Sequence, residues 1–180
     1  DDGDAVALAG VQSGLPLSAE APTTSDDALS LQGLPTTAEA AEAQAFTFHA
    51  APAAPGRPND LRYAIETGDG RFLAAGASGT QLVATSQEEA IAQPATTWVA
   101  TTRDGATFSF LNVATGRVLD VNGQGTTAGT AVGVWTTSDA TNQRWTPRTL
   151  TALGAADVAV RTPVGVAPSL PATVEPIYAW

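Results

Sequence analysis

Hydrophobic and polar residues alternate in short runs along the chain. The segments "ALSLQ" from Ala28, "TQLVAT" from Thr80 and "AVGVWT" from Ala131 each repeat with a period of two. This period is typical of β-strands that bury one face. Clusters of Gly, Thr, Ser, Asn and Asp separate the runs and favour turns. The pattern therefore predicts an all-β fold with many hairpins.

The alternating runs belong to a longer pattern that occurs three times. A Gly-bearing turn and an apolar pair recur in "SGLPLSA", "DGRFLAA" and "TGRVLDV". Each copy closes on an aromatic residue, Phe46, Trp98 or Trp145. Such self-similarity indicates one structural unit used repeatedly. The predicted copies cover about residues 5–49, 61–102 and 105–148.

The pattern ends after Leu150. The segment from Val158 onward contains four of the twelve prolines and no further copy of the repeat. Proline suits turns and edge strands better than central strands. We therefore predict one domain over residues 1–150 and a separate segment over residues 151–180.

Charge and composition exclude several kinds of partner. The 180 residues include eight arginines, no lysine and 18 acidic residues, which gives a net charge of −10. This charge repels phosphate backbones and anionic membranes, so we expect neither nucleic acid nor membrane as a partner. No apolar run is long enough for a membrane-spanning helix. The absence of methionine and of an opening signal segment predicts a processed chain.

The period of two assigns the residues of the third copy to the two faces of its strands. Its core-facing positions are Leu119, Val121, Val132 and Val134. Asp120, Gly133 and Trp135 then lie on the outer face. An exposed indole can stack on the C–H face of a sugar, and a carboxylate accepts hydrogen bonds from vicinal hydroxyls. The alternatives are a turn cap for Asp120 and burial of Trp135 against a neighbouring module.

The third copy, with Gly-x-x-Leu-Asp-Val, a Thr/Gly-rich turn, Val-x-Val-Trp and Gln-x-Trp, resembles the ricin B-chain type lectin domain. This family of β-trefoils is also counted as family 13 of the carbohydrate-binding modules. Gln44 and Phe46 stand for Gln-x-Trp in the first copy, whereas Thr96 replaces the Gln in the second. The resemblance implies a β-trefoil of three imperfect Gln-x-Trp repeats, with Trp145 in the core.

The resemblance also implies one sugar site, in the third copy. Its residues by position are Asp120, Trp135, Asn142 and Gln143. Gly133 stands where the family has a polar residue, which removes one hydrogen bond to the sugar. In the other copies Ser18 and Ala74 take the place of the aspartate, and Gln32 and Thr85 lie near that of the tryptophan. We therefore expect no working site in the first two copies.

The tail is similar to the opening of a bacterial immunoglobulin-like module through "TPVGVAPSLPATV" from Thr162. Such modules link parts of large secreted glycoside hydrolases. The resemblances together imply a secreted accessory module that tethers a catalytic domain to plant or microbial glycans containing galactose, arabinose or xylose. Two alternatives stay open, a non-binding spacer docked on the catalytic domain and a piece of the catalytic unit itself.

Residues for catalysis or metal binding are few. Glu88 with Glu89, or the acids of "DDGD" at the start, are carboxylate groups in polar segments without the fixed separation that glycosidases need. We expect the single histidine, His49, at a surface or turn position rather than in a Ser-His-Asp arrangement. "DDGD" also lacks the later glutamate of a calcium loop. The sequence predicts no enzyme activity, no cofactor and no metal site.

Overall fold

The computed structural model describes residues 5–23, 25–77, 79–155 and 176–179. This part of the chain contains fourteen β-strands, two short α-helices and two 3₁₀ turns. The strands are β1 (Ala5–Gly10), β2 (Leu17–Ser18), β3 (Leu29–Leu31), β4 (Phe46–Ala51), β5 (Leu61–Thr67), β6 (Phe72–Gly76), β7 (Gly79–Val83), β8 (Thr97–Thr102), β9 (Phe108–Asn112), β10 (Val118–Val121), β11 (Ala131–Trp135), β12 (Trp145–Arg148), β13 (Thr151–Ala155) and β14 (Pro176–Ala179). The helices are α1 (Ala38–Ala43) and α2 (Gln87–Ala92), and the 3₁₀ turns are Asn122–Gln124 and Thr141–Gln143.

Six strands form a closed barrel. Antiparallel pairing runs from β1 to β4, β5, β8, β9 and β12, and β12 pairs again with β1. The strands β2–β3, β6–β7 and β10–β11 form three hairpins. We call β1–β4 lobe 1, β5–β8 lobe 2 and β9–β12 lobe 3. Three such lobes around a six-stranded barrel are a β-trefoil, so the predicted fold class is confirmed.

Aromatic side chains of the fourth strand in each lobe fill the core. Phe46, Trp98 and Trp145 are completely buried, which confirms the core position predicted for Trp145. The indole nitrogens of the two tryptophans donate to main-chain oxygens, that of Trp98 to Leu73 at 2.9 Å and that of Trp145 to Leu119 at 3.5 Å. The polar edge of each ring is thus satisfied inside an otherwise apolar cluster.

In lobe 2, Thr96 takes the place of the glutamine of Gln-x-Trp and makes a different polar contact. The hydroxyl of Thr96 is buried and donates to the Ala90 oxygen of α2 at 2.7 Å. A capping box begins α2, because Ser86 Oγ accepts from the Glu89 N–H while the Glu89 carboxylate accepts from the Ser86 N–H. A hydrogen bond from Thr85 lowers the pKa of Glu89. The Glu89 carboxylate is therefore engaged in helix capping.

The end of the chain contributes a separate antiparallel pair, β13 with β14. The segment of residues 162–174, on which the immunoglobulin-like prediction rests, lies outside the described residues, as does the "DDGD" segment. No helix in the described ranges is both long and apolar enough to cross a membrane.

Candidate functional site

A cleft of about 660 Å³ opens at the β10–β11 hairpin of lobe 3. The four residues predicted for the sugar site all line it, together with six residues that were not predicted. The lining residues are Asp120, Asn122, Gly123, Gln124, Trp135, Thr136, Thr137, Ser138, Asn142 and Gln143. The additional residues belong to the turn after β10 and the segment after β11, whose course could not be read from strand periodicity.

The hairpin register places Asp120 and Trp135 on the same outer face. In the antiparallel pair, Asp120 lies opposite Gly133 and Trp135 lies opposite Val118. The four positions predicted to face inward are part of the central core cluster, which confirms the sorting by period two. The side chain of Trp135 is 65% exposed. A large flat apolar surface is therefore open to solvent beside a carboxylate.

Asp120 lies at the buried wall of the cleft, with 7% of its surface exposed. Its Oδ2 accepts hydrogen bonds from Asn142 Nδ2 at 3.0 Å and from Gln143 Nε2 at 2.7 Å. Its Oδ1 accepts none from the described residues. Burial raises the pKa of Asp120, and the hydrogen bonds from Gln143 and Asn142 partly oppose that increase. One carboxylate oxygen is held in place while the other keeps its capacity to accept.

The two amides act on Asp120 and on the neighbouring segment. Gln143 Nε2 also donates to the Thr136 oxygen at 3.0 Å, and its Oε1 accepts from the Ser138 N–H at 2.8 Å. Asn142 Nδ2 also donates to the Val121 oxygen at 3.2 Å. Both side chains are buried, and both use their N–H groups within the protein. They therefore orient the carboxylate and the segment after β11.

The position of Gly133 is filled by a side chain from another lobe. A Cβ atom on Gly133 would lie 2.8 Å from Asp27 Oδ1 and 3.0 Å from Asn122 Oδ1, so the site has no room for the polar side chain of the family pattern. Asp27 of lobe 1 is buried and accepts from the Thr80 N–H at 3.1 Å, from Asn122 Nδ2 at 3.0 Å and from Ser25 Oγ at 2.8 Å. This carboxylate joins all three lobes, and no local pattern in the sequence marks its position.

The hairpins of lobes 1 and 2 lack the same pair of side chains. Ser18 and Ala74 are buried at the positions that correspond to the lobe 3 aspartate. Gln32 follows the last residue of β3, at the place of the tryptophan. In lobe 2 that place belongs to Val83, which pairs with the first residue of β6 as the tryptophan pairs with the first residue of β10. Thr85, which the sequence placed near the tryptophan position, therefore lies two residues beyond it. The sequence alone does not show how the strands pair, and that pairing defines the position.

His49 is on β4 and not at a surface or turn position. Its Nε2 lies 2.7 Å from Glu66 Oε2, and its ring centre is 5.8 Å from that of Phe72. Only 13% of the His49 side chain is exposed, because its ring packs against Glu66 and Phe72. No cluster of three or more potential metal ligands occurs in the described ranges.

Residues 42–135 and 94–163 match the family described as ricin-type β-trefoil lectin domain-like. The chain belongs to this family. One relative, the exo-β-1,6-galactobiohydrolase of Bifidobacterium longum subsp. longum, is 38% identical over 187 residues. The alignment covers all of this chain and 12% of that protein. The chain is thus a ricin-type lectin-like domain that is homologous to a small part of a glycoside hydrolase.

Solved structures with low sequence identity share the fold of this ricin-type domain. The Macrolepiota procera ricin B-like lectin in complex with lactose is 23% identical, with a TM-score of 0.55, and the match covers 83% of this chain and 97% of that one. The exo-β-1,3-galactanase 1,3Gal43A from Clostridium thermocellum is 16% identical, with a TM-score of 0.58, over 83% of this chain and 30% of that one. The designed three-fold symmetric protein ThreeFoil is 18% identical, with a TM-score of 0.61, over 80% and 97%.

Proposed function

We propose that the domain binds a carbohydrate in the lobe 3 cleft. The exposed indole of Trp135 in the same cleft as the unoccupied Oδ1 of Asp120 is the observation that supports this most directly. The indole stacks on the C–H face of a sugar ring, and Asp120 accepts hydrogen bonds from its hydroxyls. Asn142 and Gln143 belong to the site by holding Asp120 in place.

The ligands in this proposal are galactose-, arabinose- or xylose-containing glycans of plants or microbes. Membership of a lectin-like family and homology to a galactobiohydrolase favour galactose among them. A single shallow site gives a dissociation constant of about 1 mM, or about −4 kcal/mol. Lobes 1 and 2 act as scaffold, since neither pairs a carboxylate with an indole.

The biological role in this proposal is to hold a catalytic domain of the parent protein near its glycan. Even weak attachment raises the local concentration of the catalytic domain at the glycan. The chain covers 12% of the related hydrolase, which leaves ample length for such a domain there. We extend the proposal to a secreted parent protein, in which residues 1–150 form the trefoil module and residues 151–180 lead into an immunoglobulin-like module. The trefoil module itself is not an enzyme.

Calorimetric titration of the chain with galactose, arabinose and xylose tests the proposal. We expect millimolar binding of at least one sugar, and loss of that binding in Trp135→Ala. Gln32→Ala is the matched control, because it changes the corresponding position in lobe 1. Absence of heat with every sugar would contradict the proposal and favour a spacer that packs on the catalytic domain.

A further inference from the structure

A second cleft of about 420 Å³ adjoins the sugar cleft. Thr137 lines both clefts, and the second one also contacts Val118, which lies opposite Trp135 across the hairpin. The two clefts therefore form one continuous surface, which is lined by lobe 3 and by the end of β8 in lobe 2. We call the second one the Arg144 cleft, after the half-buried arginine that lines it.

The guanidinium of Arg144 has no protein partner in the described part of the chain. Its Nε is fully buried and makes no hydrogen bond, and its side chain forms no ion pair there. Among the described arginines, Arg117 and Arg148 also lack an ion pair, but both are exposed to solvent. Water can satisfy those two, whereas a half-buried guanidinium without an acceptor is uncommon in proteins. Arg144 thus lines a cleft and has no acceptor for its guanidinium N–H groups among the described residues.

A second arginine stands at the same cleft. Arg103 Nη1 lies 2.6 Å from Asp139 Oδ2, and these side chains are 73% and 45% exposed. An ion pair so open to water is held weakly and exchanges readily with a competing anion. The cleft therefore has two guanidinium groups and one carboxylate, a local excess of positive charge on a chain whose net charge is −10.

The remaining lining of the Arg144 cleft suits a sugar unit. Leu111 and Val118 provide an apolar surface, and Thr101 and Ser109 provide hydroxyl groups. Ser109 Oγ donates to the main-chain oxygen of Gln143 at 2.9 Å, which joins this wall to the residue that orients Asp120. A saccharide unit next to the one on Trp135 thus finds apolar contact, hydroxyl partners and a cation.

We propose that the Arg144 cleft is a second subsite, which binds a sugar unit carrying an anionic group. The group is a uronic acid carboxylate or a sulfate ester, and either accepts paired hydrogen bonds from a guanidinium. This proposal rests on the proposed function, because the acidic unit is the neighbour of the sugar bound at Trp135. The preferred ligand is then an acidic branch of a glycan.

Calorimetry with three ligands tests the subsite. They are a neutral galactose disaccharide, the same disaccharide capped with a uronic acid, and the disaccharide carrying a sulfate ester. We expect about tenfold tighter binding of at least one acidic ligand than of the neutral one. The comparison of the two acidic ligands identifies the anionic group. The advantage should shrink as salt is added, because ions screen the charge.

Two variants and one control assign the effect to the cleft. Arg144→Gln should remove the advantage of the acidic ligand over the neutral disaccharide. Arg103→Gln, at an exposed position that does not endanger folding, should reduce the advantage in part. Arg148→Gln removes an exposed arginine outside both clefts and should preserve it.

Equal affinities of the native chain for all three ligands would overturn the subsite while leaving the proposed function intact. An acidic advantage that persists in both Arg144→Gln and Arg103→Gln would overturn it as well. Failure of the proposed function gives a different result, namely no binding of the neutral disaccharide and no effect of Trp135→Ala on any ligand.

Discussion

Replacing Asp27 by alanine removes the carboxylate at which the three lobes meet. The buried Thr80 N–H loses its acceptor, and the side chains of Ser25 and Asn122 lose a charged partner. Hydrogen bonds to a charged group contribute about 1.5–3 kcal/mol each, but they share one carboxylate and are not additive. We expect the free energy of unfolding to fall by about 3–4 kcal/mol, which corresponds to a melting temperature lower by about 10 °C.

Urea denaturation of the native chain and Asp27→Ala measures this loss. Asp26→Ala is the matched control, since its side chain is exposed, and it should stay within about 0.5 kcal/mol of the native chain. The m-value should stay the same, because both variants expose the same surface on unfolding. A loss below about 1 kcal/mol in Asp27→Ala would refute the idea that this carboxylate links the lobes.

Three further outcomes concern the cleft. Trp135→Ala should abolish sugar binding measurable by calorimetry. It should change the free energy of unfolding by less than about 1 kcal/mol, because the indole is largely exposed. A large loss of stability would show instead that the ring packs on the protein. Sugar affinity should fall between about pH 7 and about pH 4, because a protonated Asp120 is a poorer hydrogen-bond acceptor. The midpoint of this fall should lie above the usual aspartate pKa, because burial raises the pKa of Asp120. A midpoint at or below the usual value would contradict this expectation. Gln143→Ala should weaken sugar binding severalfold and raise the midpoint of the pH profile further, because Asp120 loses its 2.7 Å hydrogen bond. An unchanged pH profile would exclude the role of Gln143 in orienting Asp120.

The raised pKa of Asp120 also has a consequence for stability. A carboxyl group whose folded-state pKa lies above its unfolded value stabilises the fold at pH values below the unfolded pKa. That contribution disappears as the pH rises through the folded-state pKa, so ionised Asp120 opposes folding at neutral pH. Asp120→Asn, whose amide oxygen can still accept from Asn142 and Gln143, should be at least as stable as the native chain in thermal melts at neutral pH. A marked destabilisation would contradict this view.

Local periodicity was sufficient to predict an all-β fold and the face of the lobe 3 hairpin. Strict alternation from Leu119 to Val121 and from Val132 to Trp135 determines which side chains reach the core once both segments are strands. The three phased copies indicate a repeated structural unit, and the trefoil itself followed from the resemblance that these copies carry to a known family. The strand alternation and the repeated motifs both depend on residues that are close in sequence, so the sequence alone shows them.

The contact of Asp27 with Gly133 could not be predicted in this way. Asp27 and Asn122 are 95 residues apart, and they meet because hairpins from different lobes converge. No local pattern encodes that convergence. The position of Val83 was missed for a related reason, since loop lengths differ between the copies and only strand pairing establishes the correspondence.

The role of the amide pair was also beyond sequence reasoning. Asn142 and Gln143 offer the same donors whether they bind a ligand or hold another side chain. Only the distances to Asp120 show that their N–H groups are used within the protein. Residue types alone could not separate these two uses.

The pairing of β1 with β12 has a consequence for how the protein is made. Gly10 lies beside Trp145, 135 residues later, so the first strand leaves the ribosome long before its partner exists. At typical rates of synthesis this interval is on the order of 10 s. During that time β1 can pair with β4 but not yet with β12. The nascent chain is therefore vulnerable to aggregation and proteolysis until translation has passed the third lobe.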